Sequence, residues 1–146
     1  MESPAKELAE IVTSVALELA RMDDAQAGVK PSDGAWSKKE IIGHLIDSAA
    51  NNHQRFVRAQ IETSLVFPPY DQEAWVQRQA YRACPWLQLL ELWKLYNLHL
   101  AWIIRQIPVD ALDRDCTIGN DPTVSLGFLI KDYLRHLKLH LEQLGL

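Results

Sequence analysis

Apolar residues recur with helical spacing in four long stretches of the chain, and the alternating pattern typical of strands is nearly absent. The first stretch follows Ser3, a residue type that caps helices, and Pro4, which suits the first helical position. The second stretch opens at Ser37, which has capping-box spacing to Glu40. We predict that this second helix spans Lys38 to Glu62.

Prolines and polar connections set the limits of the other two helices. The third stretch begins near Pro85 and ends before Pro108, and the fourth begins at Thr123 or Ser125 and continues to the last residues. Between the second and third helices, adjacent prolines interrupt the pattern, because a residue before proline favours extended backbone. The segment that follows them, DQEAWVQRQAY, is predicted to be a short helix or an ordered loop.

Four helices with short to moderate connections most simply form an antiparallel bundle. The sequence therefore predicts an all-α fold: an antiparallel four-helix bundle, with a short extra helix or ordered loop between its second and third helices. A length of 146 residues suits one domain spanning residues 1–146.

Composition and charge exclude several kinds of protein. No apolar run is long enough to cross a bilayer, and the first residues lack the pattern of a secretory signal, so we expect a cytoplasmic protein without membrane contact. In that compartment Cys84 and Cys116 are expected to be reduced thiols. A net charge of −4 with scattered lysines and arginines argues against a nucleic-acid surface.

His136 and His140 lie four residues apart at the edge of the apolar side of the last helix. Side chains at this spacing are neighbours, so both imidazoles can reach one ion. Two protein ligands rarely hold a metal without a third, however. The spacing alone leaves two interpretations open: a metal-binding pair, or two histidines that line a helix.

His44 is a candidate third ligand, with the polar residues Asp47, Ser48 and Asn51 on the same side of its helix. These neighbours fit a ligand imidazole held by hydrogen bonds, but they fit a solvated helix face equally well. His53 and His99 have no role that spacing reveals. The chain lacks the Glu-x-x-His pairs of di-iron bundles, the cysteine spacing of zinc fingers and a glycine-rich phosphate loop.

Several of these motifs, taken together, resemble the DinB/YfiT-like family of metal-binding four-helix proteins. The matching stretches are WSKKEIIGHLIDS, the RF at residues 55–56, PPYDQEAW and YLRHLKLH, in that order across most of the chain. The resemblance implies that His44, His136 and His140 bind one divalent metal ion, with zinc or nickel expected and water completing the coordination. Members of the family often carry further histidines near the last pair, where this chain has Leu139, Leu141 and Gln143.

The same resemblance implies a metal-dependent hydrolase or a thiol-dependent S-transferase that acts on a small molecule, with a low-molecular-weight thiol as one candidate partner. Asp47 is a candidate for orienting a ligand imidazole, and Tyr133 for a hydrogen bond at the site. The alternative is a non-catalytic, metal-stabilised helical module for binding or assembly. Trp86, Trp93 and Trp102 fit either the core or a dimer interface, and the resemblance also implies a homodimer.

Overall fold

The computed structural model describes residues 1–146 and contains six α-helices and three short strands. The helices are α1 (Glu2–Leu19), α2 (Asp24–Ala27), α3 (Lys38–Ile61), α4 (Gln72–Arg78), α5 (Trp86–Gln106) and α6 (Leu126–Gln143). The strands are β1 (Ser64–Phe67), β2 (Asp115–Ile118) and β3 (Val124–Ser125), and short 3₁₀ helices cover Tyr81–Ala83 and Val109–Asp113. No helix combines the length and the apolar character needed to cross a membrane.

The four long helices α1, α3, α5 and α6 confirm the predicted bundle, and α4 is the extra helix expected between its second and third members. Helices α1 and α5 run antiparallel. The indole nitrogen of Trp86, at the start of α5, donates to the carbonyl of Leu19 at the end of α1. At the opposite end, Arg105 contacts Glu2.

Helices α3 and α5, by contrast, run in the same direction. Asp24 shows this, because it accepts hydrogen bonds from Lys39 and from the backbone of Trp86, which lie at the N-terminal ends of these helices. The connection between α3 and α5 therefore returns along the length of the bundle, and β1 and α4 lie within it. Short connections between successive helices do not predict this helix order.

The small sheet also departs from the sequence expectation. Strand β1 pairs in parallel with β2, and β2 pairs antiparallel with β3. This sheet holds the two long connections together at the end of the bundle where α3 ends. Cys84 and Cys116 are free thiols, as expected.

Helix starts follow the predicted caps at two positions and not at a third. Ser37 and Glu40 form the capping box that opens α3, and Ser125 caps α6. The assignment of Ser3 as a cap is wrong, since α1 begins at Glu2 with Met1 at the cap position. Pro4 permits this earlier start. The first backbone N–H groups of a helix have no intrahelical acceptor, so the missing N–H group of proline costs no hydrogen bond there.

A core of 35 buried hydrophobic residues fills the space between the helices. Trp86 and Trp93 belong to this core, whereas Trp102 is 58% exposed. The predicted apolar side of the last helix is buried throughout, and it comprises Leu126, Leu129, Ile130, Tyr133, Leu134, Leu137, Leu141 and Leu144. His136 and His140 lie at the edge of that buried side, facing α3.

Candidate metal centre

The structure brings His44, His136 and His140 together, with one ring nitrogen of each lying within 4.8 Å of the others. His44 comes from α3, and the other two come from successive turns of α6. The Nε2 atoms of His136 and His140 are 3.2 Å apart. Metal–nitrogen bonds of about 2.0–2.1 Å place neighbouring ligand nitrogens roughly 2.9–3.4 Å apart, so this separation suits two ligands of one ion.

Local sequence explains why these side chains converge. The capping box at Ser37 fixes the start of α3, and His44 lies two turns later on a buried part of the helix. On α6, residues four apart project from the same face. The two faces meet where α3 packs against α6.

His44 is completely buried, and neither of its ring nitrogens has a hydrogen-bond partner. Burial, together with the nearby His140 and His136, lowers the pKa of His44 from 6.5 to about 3. Its imidazole is therefore neutral at physiological pH, which is the form that binds metals. A buried polar atom without a partner is costly, and a divalent ion would satisfy one of these nitrogens, so the residues present fit such an ion.

Gln143 orients the ring of His140. The Nδ1 atom of His140 is 3.0 Å from Gln143 Oε1, an acceptor, so Nδ1 carries the proton and Nε2 presents its lone pair towards His136. In the sequence, Gln143 stands out only as a departure from the family pattern. Its spacing of three residues from His140 was the available signal, since side chains at that spacing are neighbours on a helix.

Trp36 covers the cluster beside His44, with ring centroids 4.9 Å apart. It precedes the cap of α3, so the turn that starts the helix also supplies this cover. An apolar ring at this position limits the access of water to His44.

Asp47 contacts neighbours other than the histidines. Its Oδ1 atom accepts hydrogen bonds from the Tyr81 hydroxyl at 2.6 Å and from Gln79 Nε2 at 2.8 Å. Its Oδ2 atom is buried without a partner, and burial raises the pKa of this carboxyl. The structure thus contains no hydrogen bond through which Asp47 would orient an imidazole.

The hydroxyl of Tyr133 likewise points away from the histidines, since it donates to Asn97 Oδ1 on α5 at 2.5 Å. Burial raises the pKa of Tyr133, so the hydroxyl remains a donor. The hydrogen bond that the sequence suggested for Tyr133 at the histidine site is not made. Its ring instead lines a cavity beside His136.

His53 and His99 form a separate pair between α3 and α5. Their ring centroids are 5.4 Å apart, and Nδ1 of His53 is 2.8 Å from the hydroxyl of Tyr96. Neither residue belongs to the cluster of three histidines.

The cavity beside His136 has a volume of about 240 Å³ and lies between α3 and α6. Its polar lining includes Ser48, Asn52, Arg55, Tyr70, Asp121 and Asp132. Apart from Ser48, a polar neighbour of His44 on α3, these residues had no predicted role. Three of them lie on α3 at spacings of four and three residues, which places them on one helix face.

The structure is thus a four-helix bundle that places three histidines from two helices beside a polar cavity, as a candidate metal site. Comparison with known families agrees, because the DinB superfamily matches residues 9–144. The chain belongs to the DinB superfamily.

Among the relatives, a protein of Oceanobacillus iheyensis, provisionally named a metal-dependent hydrolase, is 26% identical over 84% of this chain and 71% of its own length. YfiT of Bacillus subtilis carries the same provisional name and is 31% identical over 56% of this chain and 44% of its own length. The chain therefore matches less than half of that second relative.

Two solved structures share the fold. YfiT from Bacillus subtilis superposes with a TM-score of 0.77 at 22% identity, covering 95% of this chain and 78% of that one. The mycothiol-dependent maleylpyruvate isomerase gives a TM-score of 0.71 at 19% identity, covering 96% of this chain and 59% of that one. At these identities the likeness concerns the fold alone.

Proposed function

We propose that His44, His136 and His140 hold one divalent metal ion, zinc or nickel, and that the protein is a metal-dependent hydrolase or a thiol-dependent S-transferase. The observation that carries the proposal is the convergence of three imidazoles from two helices, one of them fully buried with both ring nitrogens unpaired. Relatives named as metal-dependent hydrolases support the same proposal.

Bound there, an ion with three neutral imidazole ligands would keep its full charge and would lower the pKa of a coordinated water or thiol. The protein's own residues prepare this site. Gln143 holds His140 in the tautomer that presents Nε2, and Trp36 shields His44 from solvent. The cavity beside His136 is where a small-molecule substrate would bind.

A low-molecular-weight thiol is our candidate partner for the transferase reaction. The fold shared with a mycothiol-dependent isomerase supports this candidate. Outside the cluster, only Gln143 hydrogen-bonds to one of the three histidines, and a glutamine is not a general base. This favours chemistry in which the nucleophile is activated directly by the ion.

Metal analysis of protein purified without a nickel column tests the proposal. We expect one equivalent of zinc or nickel in the wild type and its loss in His44→Ala, His136→Ala and His140→Ala. His53→Ala is the matched control, since it also removes an α3 histidine but leaves the cluster intact. Full occupancy in His44→Ala would refute the three-ligand site.

Cobalt substitution then separates catalysis from a structural role. An open coordination position should bind added thiolate and change the visible spectrum, more strongly as pH approaches the thiol pKa. A second candidate function, a non-catalytic assembly module, is favoured by the exposed apolar residues on α5, which include Trp102. A cobalt spectrum unchanged by thiols and small anions would support that candidate instead.

A further inference from the structure

The cavity beside His136 contains a cation that has no partner. Arg55 lines this cavity, and its Nε atom is buried without a hydrogen-bond acceptor. No carboxylate forms a salt bridge with it. Burial lowers the pKa of Arg55, but a guanidinium stays protonated in proteins, so a partly desolvated charge lines the cavity without a salt-bridge partner.

Phe67 is the aromatic neighbour of Arg55. The guanidinium carbon lies over the Phe67 ring, 5.2 Å from its centroid, where a cation and an aromatic ring attract each other. This contact supplies no hydrogen-bond acceptor, so the N–H groups of Arg55 remain available, and their planar fork matches the two oxygens of a carboxylate.

The surrounding polar groups add donors. Asn52 and Ser48 lie one and two turns before Arg55 on the same face of α3, and Tyr70 faces them from the loop after β1. Burial raises the pKa of Tyr70 to about 12, so its hydroxyl is protonated at neutral pH and can donate.

The two carboxylates of the cavity do not neutralise Arg55. Asp132 is already paired with Arg135, at 2.7 Å. Asp121 is exposed and forms no salt bridge, although it lies near enough to favour the charged form of Arg55. Asp121 therefore competes weakly with any anion that enters.

We propose that Arg55 anchors the carboxylate of a small substrate in this cavity, with Ser48, Asn52 and Tyr70 as supporting polar contacts. The inference rests on the proposed function in one respect: the rest of the substrate extends towards His136 and the three-histidine site. The cavity of about 240 Å³ is smaller than pockets for drug-sized ligands, which span about 300–1,000 Å³. The substrate is therefore a small organic acid.

Calorimetric titration of the protein as purified, with succinate as the probe and at constant ionic strength, tests this assignment. Arg55→Met should weaken succinate binding by at least about 10-fold, the effect of losing a charged hydrogen-bonded contact. Arg55→Lys, which keeps the charge without the planar fork, should bind with intermediate affinity. Asp121→Asn should tighten binding, because it removes the competing carboxylate.

Arg58→Met is the matched control. Arg58 lies over the same Phe67 ring, at 5.6 Å, but pairs with Glu62 at 3.1 Å. Its loss should leave succinate affinity within about 2-fold of the wild type. If Arg55→Met fails to fold, as judged by circular dichroism, Arg55→Lys and Asp121→Asn carry the test.

Three results would overturn the assignment: unchanged succinate binding in the folded Arg55 variants, weaker binding in Asp121→Asn, or inorganic phosphate bound as tightly as succinate. Metal content, measured in parallel, keeps this proposal separate from the proposed function. Binding lost in His44→Ala but kept in Arg55→Met would place the carboxylate on the metal and refute Arg55 as the anchor. If the wild-type protein as purified contains no metal while its succinate binding still depends on Arg55, the metal function is refuted and the role of Arg55 stands.

Discussion

Two of the clustered histidines, His44 and His140, are held in place by different contacts. His44 is fixed by burial and by Trp36, whereas His140 is fixed by its hydrogen bond to Gln143. Hydrogen bonds of this second kind orient a ligand and raise its basicity. They are open to test by substitutions that leave the imidazoles in place.

Gln143→Leu is expected to weaken zinc binding by about 10–100-fold, because the Nδ1 proton of His140 loses its acceptor and the ring loses its preferred tautomer. Gln143→Glu should keep or strengthen binding, since a carboxylate accepts the same hydrogen bond. Competition with a chromophoric chelator measures the affinity. Glu142→Leu, an exposed change in the same helical turn, serves as the control, and equal affinities for both leucine variants would contradict the role given to Gln143.

Asp47 affords a prediction about pH. Burial raises its pKa above the ordinary value of 3.8, so the folded protein binds this proton more tightly than the unfolded chain. The resulting stability is fully present below about pH 4 and is lost as pH rises through the raised folded-state pKa. Asp47→Asn cannot lose a proton and keeps an oxygen for Tyr81 and Gln79.

The free energy of unfolding of Asp47→Asn should therefore rise, relative to that of the wild type, between pH 4 and pH 7. Urea denaturation at both pH values, with the same chelator present throughout, measures the difference. Asp33→Asn, at an exposed position, is the control. A difference that stays constant or shrinks with pH would show that Asp47 is favourably ionised in the folded protein.

At the scale of elements, the packing of α3 against the segment after α4 determines where Asp47 finds its partners. Gln79 and Tyr81 flank Ala80, whose φ of 51° lies in the left-handed region. Tyr81 crosses α3 directly over Gly43. A Cβ atom added at Gly43 would lie 2.1 Å from Cδ2 of the Tyr81 ring.

Gly43→Ala should lower the free energy of unfolding by about 1–3 kcal/mol, since the Tyr81 ring must move and its hydrogen bond to Asp47 must break. Chemical denaturation measures the change. Gly127→Ala is the matched helical control: a Cβ atom there lies no closer than 3.4 Å to its neighbours. It should stabilise the protein by up to about 1 kcal/mol, and similar effects at both glycines would contradict this packing argument.

The helices could be predicted from the sequence because their signals lie within contiguous residues. Ser37 and Glu40 mark the start of α3, and the apolar spacing of α6 matches its buried side. Strands β1 and β2 were not predicted from the sequence, because each has only four residues and their stability comes from pairing with a distant segment.

The same distinction separates the parts of the candidate site that could be predicted from those that could not. The grouping of His44 with the α6 histidines was implied by the resemblance to the DinB/YfiT-like family, and the structure brings the three together. The hydrogen bonds of Asp47 depend on the backbone at residues 79–81, and those of Tyr133 depend on Asn97. Both rest on contacts between separate elements, which helical periodicity does not encode.

For the molecule as a whole, the outer side of α5 presents exposed apolar residues. Leu92, Leu95 and Trp102 project from α5 within one arc and are about half exposed, at 48%, 52% and 58%. We expect this surface to form a homodimer interface, with twofold symmetry as the commonest arrangement.

Light scattering at micromolar concentration should give the mass of a dimer for the wild type and of a monomer for the double variant Leu95→Lys, Trp102→Lys. Leu17→Lys, at an exposed apolar position on α1, should remain dimeric. A monomeric mass for the wild type would contradict the dimer prediction. A dimeric mass for the double variant would show that the dimer interface lies on another surface.

The position of the three histidines in the chain has a kinetic consequence. They join an early helix to the last one, so an ion bound there would tie α3 to α6 in the folded protein. Because it would bind the folded state and not the unfolded chain, it would stabilise the folded state. Beside the histidines, α3 and α6 are separated by the cavity, which makes α6 the helix most dependent on this link. Stripping the ion should speed unfolding in urea by at least about 10-fold, measured by stopped-flow fluorescence, and hydrogen exchange should increase first in α6. In His44→Ala, adding a chelator should change neither the unfolding rate nor the hydrogen exchange of α6. Changes as large as those in the wild type would mean that the ion links other residues.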